Sequence, residues 1–179
     1  MASFFDELSD GLQDFIGKQH LFFVATAPVN GRINLSPKGM DTFRCVNSKQ
    51  VMFLNLTGSG NESAAHLAEN GRLTIMFCSF EKRPLILRLY GKGRAIHARD
   101  DEWAELIKPY THLAGARQFI LLDIESVQTS CGFAVPFYEY QGERDTLQRY
   151  NQQNGEEGVH EYQRKKNQVS IDGLPTYLF

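Results

Sequence analysis

Two short stretches of this chain gather the residue types of an anion site. The first is Ser36-Pro37-Lys38-Gly39, followed shortly by Arg44. The second is Thr57-Gly58-Ser59-Gly60-Asn61-Glu62-Ser63. Its glycines let a backbone approach a ligand closely. Hydroxyls and free amides at a helix start suit a phosphate, and cations such as Lys38 and Arg44 make those contacts charge-assisted. An ordinary capped loop has much the same composition, so these residues by themselves do not identify a site.

Other chemistries find less support. The histidines His20, His66, His97, His112 and His160 do not pair with one another or with a cysteine at metal-ligand spacing. No Gly-x-Ser-x-Gly elbow is present. Cys131, in Thr129-Ser130-Cys131-Gly132, has no local cation to make it a thiolate and reads as a small buried hydrophobe. Gly91-Lys92-Gly93-Arg94 lacks the third glycine of a dinucleotide fingerprint. Gly58-Ser59-Gly60 lacks the Lys-Ser/Thr pair of a P-loop.

The elements that must hold these residues are mostly short strands. Apolar runs over His20–Ala27, Thr42–Val46, Gln50–Leu56, Leu73–Phe80, Leu85–His97 and Gln118–Gln128 are separated by turn residues. Asn30-Gly31 predicts a hairpin, with Arg32–Leu35 returning and Ser36-Pro37-Lys38-Gly39 as a turn. Helical spacing of Phe5, Leu8, Leu12, Phe15 and Ile16 predicts an N-terminal helix capped by Ser3. A short helix over Glu62–Glu69 should end at Asn70-Gly71, and another is expected over Asp100–Ile107. After Pro136 the chain becomes polar, reading as surface helices broken at Asn154-Gly155, before an apolar tail that docks on the body. Many short strands without long helices between them mean a sandwich or barrel. The expected division is residues 1–136 as that domain and 137–179 as a helical extension packed on it.

Composition bounds the function. With 179 residues and 42% hydrophobic content, the chain can bury a core without staples. A formal charge of −2 argues against a nucleic-acid platform. The longest apolar run, Leu21–Ala25, is strand-sized and far below a membrane span. An acidic N-terminus and three widely spaced cysteines suit a cytoplasmic chain.

The order of the pieces resembles the pyridoxamine phosphate oxidase-like flavoproteins, the FMN-binding split β-barrels. Asn34–Gly39, Phe53–Thr57 through Asn70-Gly71-Arg72, Leu87–Ala95 and Gly115–Gln118 carry the resemblance over residues 20–130. Gln128–Pro136 and Ser170–Pro175 look like a subgroup of mostly uncharacterised members. The resemblance implies a mainly β (α+β) fold: a six-stranded antiparallel split β-barrel with flanking short helices and a helical C-terminal extension. It implies a homodimer with FMN in the clefts between subunits. F420, haem or no cofactor are the alternatives found or conceivable in such barrels.

The resemblance matches Arg44 and Thr57 to the family's phosphate site. On the residues themselves, Lys38 is expected to hold the phosphate together with Arg44. Ser36, Thr57, Asn61 and Ser63 are expected to donate hydrogen bonds to phosphate or ring edges, and Arg88 either to lie beneath the cofactor or to pair with a surface carboxylate. Glu62 and Ser63 stand where two basic residues normally open the helix, so cations from elsewhere must neutralise the phosphate. The arginine-containing segment with which the true oxidase holds pyridoxal phosphate is not found, so vitamin B6 oxidation is not expected. The implied function is an FMN-dependent oxidoreductase, in which the flavin supplies the electron chemistry. The alternative is a non-catalytic flavin-binding sensor, store or stress-response protein. Trp103 and Tyr110 read first as barrel packing and second as substrate walls.

Overall fold

The computed structural model describes residues 2–179. Its strands are β1 (Ser3–Phe5), β2 (Phe22–Thr26), β3 (Asn34–Lys38), β4 (Phe43–Asn47), β5 (Gln50–Leu56), β6 (Arg72–Cys78), β7 (Ile86–His97) and β8 (Ala116–Ser130). All pairings are antiparallel, in the order β3-β2-β6-β7-β8-β5-β4, with β1 added to β8. The mainly β architecture is the expected one, with eight strands instead of six. β3 and β4 are successive in sequence but form opposite edges of the sheet. The barrel is therefore split between them, not closed.

Alternation of side chains along each strand builds the interior. Val24, Phe53, Ile75, Leu89, Ile120 and Leu122 are fully buried there. Phe22 meets Phe43 and Phe53 edge-on at 5.0 and 5.3 Å. Each such ring stabilises the fold by roughly 1.5–3 kcal/mol through burial alone. A smaller cluster of Leu54, Ile96, Tyr110, Phe119 and Leu121 lies outside the barrel, with Trp103 packed against it. Trp103 and Tyr110 thus serve packing.

The N-terminus departs from expectation. Residues 3–5 form a strand paired with Val127–Thr129, and the helix α1 begins only at Asp10 (Asp10–Gly17), capped by Ser9. Phe4 and Phe5 have high strand propensity, and the long β8 offers an edge for them. Ser9 followed by an acid makes a better helix start than Ser3.

Ser36-Pro37-Lys38 also departs: it is strand, not turn. Proline is tolerated because β3 is an edge. The period of two then puts Asn34, Ser36 and Lys38 half-buried on one face, with Leu35 and Pro37 outside. The true turn is one step later, at Met40 and Asp41, both left-handed with φ of 64° and 52°.

Helix α2 (Glu62–Asn70) follows the small-residue loop and stops at Gly71, whose φ of 70° is the left-handed cap geometry. A short helix α3 (Trp103–Leu106) lies between β7 and β8. The extension is α4 (Thr146–Lys166), interrupted at Gly155, where φ 65° and ψ 176° are not helical. Its tail docks: Thr176 and Leu178 are buried, and Arg99 donates to the carbonyls of Tyr177 and Leu178. Among the described residues no helix is long and apolar enough to cross a membrane.

Candidate anion pocket and adjoining cleft

Where the sheet splits, β3 faces the end of β5 and the start of α2. A polar pocket of about 270 Å³ lies there, lined by Ser36, Lys38, Asn55, Asn61, Ser63 and Arg117 among others. Lys38 Nζ reaches across the split to donate to Asn55 Oδ1 at 3.1 Å. Burial, and secondly the charge of Arg117, pull the Lys38 amine down to about 8.

Arg117 lines this pocket and is not among the site residues expected from the sequence. Asn55 pairs with Gln118 and Leu56 with Ala116, so Arg117 is the extra residue of a β-bulge. A bulge re-aims its side chain, here towards the loop before α2. Its Nη1 donates to Gly60 O at 2.9 Å and to Asn167 Oδ1 at 2.7 Å. Its Nε is buried without a partner, and burial pulls its pKa down to about 10. The signal available in sequence was an arginine opening the apolar run Gln118–Leu122, inside one of the stretches that carried the resemblance.

Lys38 and Arg117 are buried or half-buried cations, and neither has a carboxylate partner among the ion pairs of the described residues. Buried charges are ordinarily paired. The N-terminus of α2 adds its own partial positive charge, and Asn61 makes no side-chain capping bond to it. Instead Asn61 and Gln118 exchange amide hydrogen bonds at 3.3 and 2.8 Å. The Glu62 carboxylate accepts the Ile171 amide through both oxygens at 3.1 Å, which ties it to the C-terminal tail.

The remaining expected site residues divide. Ser36, Lys38, Asn61 and Ser63 meet in the pocket. Thr57 lines the neighbouring cleft, but its hydroxyl donates to Gly115 O at 2.9 Å and accepts from Gln163 Nε2 at 2.7 Å. Gly115 is needed there: its φ is 82°, and a Cβ would lie 2.1 Å from Asn151 Nδ2.

Arg44 is elsewhere. Its guanidinium clamps Asp41 through both carboxylate oxygens at 2.8 and 3.0 Å and lies 5.3 Å over the Tyr110 ring. It holds a left-handed turn instead of lining the pocket. Arg88 donates to Ser130 Oγ at 3.3 Å. It sits nine residues along β7 from His97, the partner of Gln118, roughly 30 Å of extended strand. Neither arginine meets Lys38.

The pocket continues into a cleft of about 940 Å³, and Lys38, Gly58 and Ser59 border both. Pro37 and Met40 form one wall, and Tyr140, Leu147, Tyr150 and Tyr162 of the C-terminal extension form the other. His20 and Tyr140 stack at 3.7 Å and 3° beside it. Such a volume is in the range of a cofactor or substrate site. Among the described residues no His, Cys, Asp and Glu side chains cluster as a metal site. The arrangement can therefore hold an anion beside a planar or apolar body.

A family model described as pyridoxamine 5'-phosphate oxidase matches residues 8–131. This chain belongs to that family. The pyridoxamine 5'-phosphate oxidase family protein ustO from Aspergillus flavus is 40% identical, the match covering 98% of this chain and 78% of that protein. Two solved structures share the fold at low identity. HupZ of Group A Streptococcus has a TM-score of 0.55 at 19% identity, covering 67% of this chain and 91% of that chain. The FAD binding protein from Mycobacterium smegmatis has a TM-score of 0.50 at 16% identity, covering 70% and 97%. The family's split barrel is thus the fold that the resemblance implied, and the matched region ends just before the C-terminal extension that walls the cleft.

Proposed function

We propose that this chain is an FMN-binding flavoprotein that works as an oxidoreductase at a homodimer interface. The observation that carries the reading is the pair Lys38 and Arg117, two sequestered cations that form no ion pair among the described residues, in a pocket adjoining an aromatic-walled cleft. The carboxylate that lines the pocket, Glu62, is engaged by the Ile171 amide. A phosphate monoester supplies the missing negative charge. Lys38, Arg117, Ser36, Ser63 and the first-turn amides of α2 would hold it, and the orphaned Nε of Arg117 gives it a donor. The adjoining cleft has the room and the apolar and aromatic lining for a flavin ring.

Bound flavin supplies the electron chemistry, and the protein supplies binding, orientation and the exclusion of water. Family membership and a neighbour described as FAD-binding support a flavin. FMN fits better than FAD because the small pocket suits one terminal phosphate. The homodimer is supported by the exposed apolar face of the β2–β3 hairpin, where Val29, Ile33 and Leu35 are each about two-thirds exposed or more.

The test is the visible spectrum of the protein purified without added cofactor, with mass spectrometry of what heat releases. FMN, reducible by NADH or NADPH and reoxidised on turnover, is the expected result. Flavin that binds but never cycles would make the protein a carrier or sensor. A colourless chain that ignores added FMN would overturn the reading. Light scattering should give twice 20.4 kDa.

A further inference from the structure

Behind the pocket lies a buried chain of polar side chains that the proposed function does not use. His66 Nδ1 is 3.0 Å from Thr26 Oγ1. Asn34 Nδ2 is 3.2 Å from Thr26 Oγ1 and 3.2 Å from Ser63 Oγ. His66, Thr26 and Ser63 are all buried, and the other ring nitrogen of His66, Nε2, has no partner. The chain joins α2, β2 and β3 and ends at the pocket, where Asn34 and Ser63 are both lining residues.

Proton counting permits two arrangements in which each of the three bonds has one donor proton, His66 Nε2 being without a protein partner in both. In the first, the Asn34 amide donates to Thr26 and to Ser63, and Thr26 donates to His66 Nδ1. His66 then carries its proton on Nε2. The Ser63 oxygen is occupied by Asn34, so the Ser63 proton points into the pocket. In the second, every bond is reversed. His66 carries its proton on Nδ1 and donates to Thr26, while Thr26 and Ser63 both donate to the Asn34 carbonyl. Ser63 then shows the pocket only lone pairs. Mixed arrangements either leave the Thr26 proton without an acceptor or set the Thr26 and Asn34 oxygens against each other with no proton between them, and both are unfavourable.

We infer that His66, Thr26 and Asn34 are positioning residues that set the polarity of Ser63, and that an anion in the pocket selects the His66 tautomer with its proton on Nε2. An anion needs donors, so it stabilises the first arrangement and disfavours the second. By linkage, whatever holds the first arrangement tightens anion binding by the same factor. This inference rests on the anion reading of the pocket and deepens it, since it makes Ser63 a donor of fixed polarity.

Two measurements on the full chain test it, with FMN and, separately, inorganic phosphate as probes. The first is the pair of ring-nitrogen chemical shifts of His66 in ¹⁵N-histidine-labelled protein. Saturating probe should leave His66 with Nε2 protonated. A proton on Nδ1 in the loaded protein would overturn the relay. The second is a double-mutant cycle on probe affinity. Ser63→Ala should weaken binding about tenfold, as loss of one hydrogen bond to a charged group does. Thr26→Val should weaken binding by about threefold to tenfold with Ser63 present, and have no further effect in the Ser63→Ala background. An equal loss in both backgrounds would mean that Thr26 acts only through packing. If wild-type protein binds neither probe, the anion reading itself fails and takes the relay with it, whereas normal binding with an uncoupled cycle removes only the relay.

Discussion

Arg44 and Arg117 are both strand arginines within a few residues of a pocket wall, and they are held in opposite ways. Arg44 is half-exposed and meets a carboxylate, two backbone carbonyls and the face of Tyr110. Hydrogen bonding to Asp41 raises its pKa above the ordinary arginine value. Arg117 is buried on a bulge, meets only neutral acceptors, and is pulled down to about 10 by burial. The first arginine is complete without a ligand. The second, together with Lys38, is a cation that forms no ion pair among the described residues, the Glu62 carboxylate of the same pocket being tied to the Ile171 amide. An uncompensated buried charge costs stability, and that cost is repaid only if something anionic binds.

The largest break in this contrast is expected from Lys38→Met. It removes one of the two unpaired cations and keeps an unbranched side chain only one atom shorter. Titration of the apo protein with FMN should show affinity lower by about 100-fold, the value of a charge-assisted bond in a sequestered site. Arg44→Ala in the same titration should leave affinity within about twofold. If the two variants lose affinity equally, Arg44 reaches the ligand and the division between the arginines is wrong.

A pH series sharpens the same point. The Lys38 amine has a folded pKa near 8 against an ordinary 10.5. Below pH 8 both folded and unfolded chains carry the proton, so the burial penalty is fully present. Between pH 8 and 10.5 the unfolded chain binds more protons, and stability rises with pH. Urea melts of apo wild type should therefore gain on Lys38→Met across that window, by on the order of 1–3 kcal/mol in total. FMN affinity should move the other way and fall above pH 8, because the phosphate needs the charged amine. A flat difference between wild type and variant would show that Lys38 is not desolvated.

Much of this could be read in the sequence, for identifiable reasons. The strands of the barrel announced themselves because apolar residues alternate or run together between turn residues, and β5 fell on Gln50–Leu56 as expected. The small-residue loop and α2 were legible from Gly58, Gly60 and the Asn70-Gly71 stop. Ser36-Pro37-Lys38-Gly39 misled because its composition is that of a turn, whereas an edge strand can accept proline and thereby aim Asn34, Ser36 and Lys38 together. That Arg117 lines the pocket is not legible in the sequence, because a bulge depends on the pairing of β5 with β8, which no local pattern encodes. The charge of Arg44 can be read in sequence, whereas its contact with Asp41 in a left-handed turn, which holds it outside the pocket lining, cannot.

Smaller effects test the structural side of the comparison. Met40 and Asp41 occupy a conformation that costs about 1 kcal/mol or more per non-glycine residue, and Arg44 fastens the second of them. Arg44→Ala should lower stability by about 1 kcal/mol in denaturant melts. The loss would come from the turn and from Tyr110, while the barrel core remains as it is.

Asp41→Asn should have the smallest effect. The Asp41 side chain is 88% exposed and that of Arg44 40% exposed, so solvent screens their charges and such a pair contributes between roughly zero and 1 kcal/mol. Asparagine tolerates left-handed φ as well as aspartate does, and its carbonyl still accepts one guanidinium hydrogen bond. Stability within about 0.5 kcal/mol of wild type and unaltered FMN affinity are expected. The raised pKa of Arg44 would then reflect a local contact with little consequence for folding, because water stands in for the lost carboxylate. Nothing stands in for the partner that Arg117 lacks. If Asp41→Asn instead lowered FMN affinity severalfold, the turn at Met40 and Asp41 would have to be shaping the cleft it borders, and the two arginines would belong to one site after all.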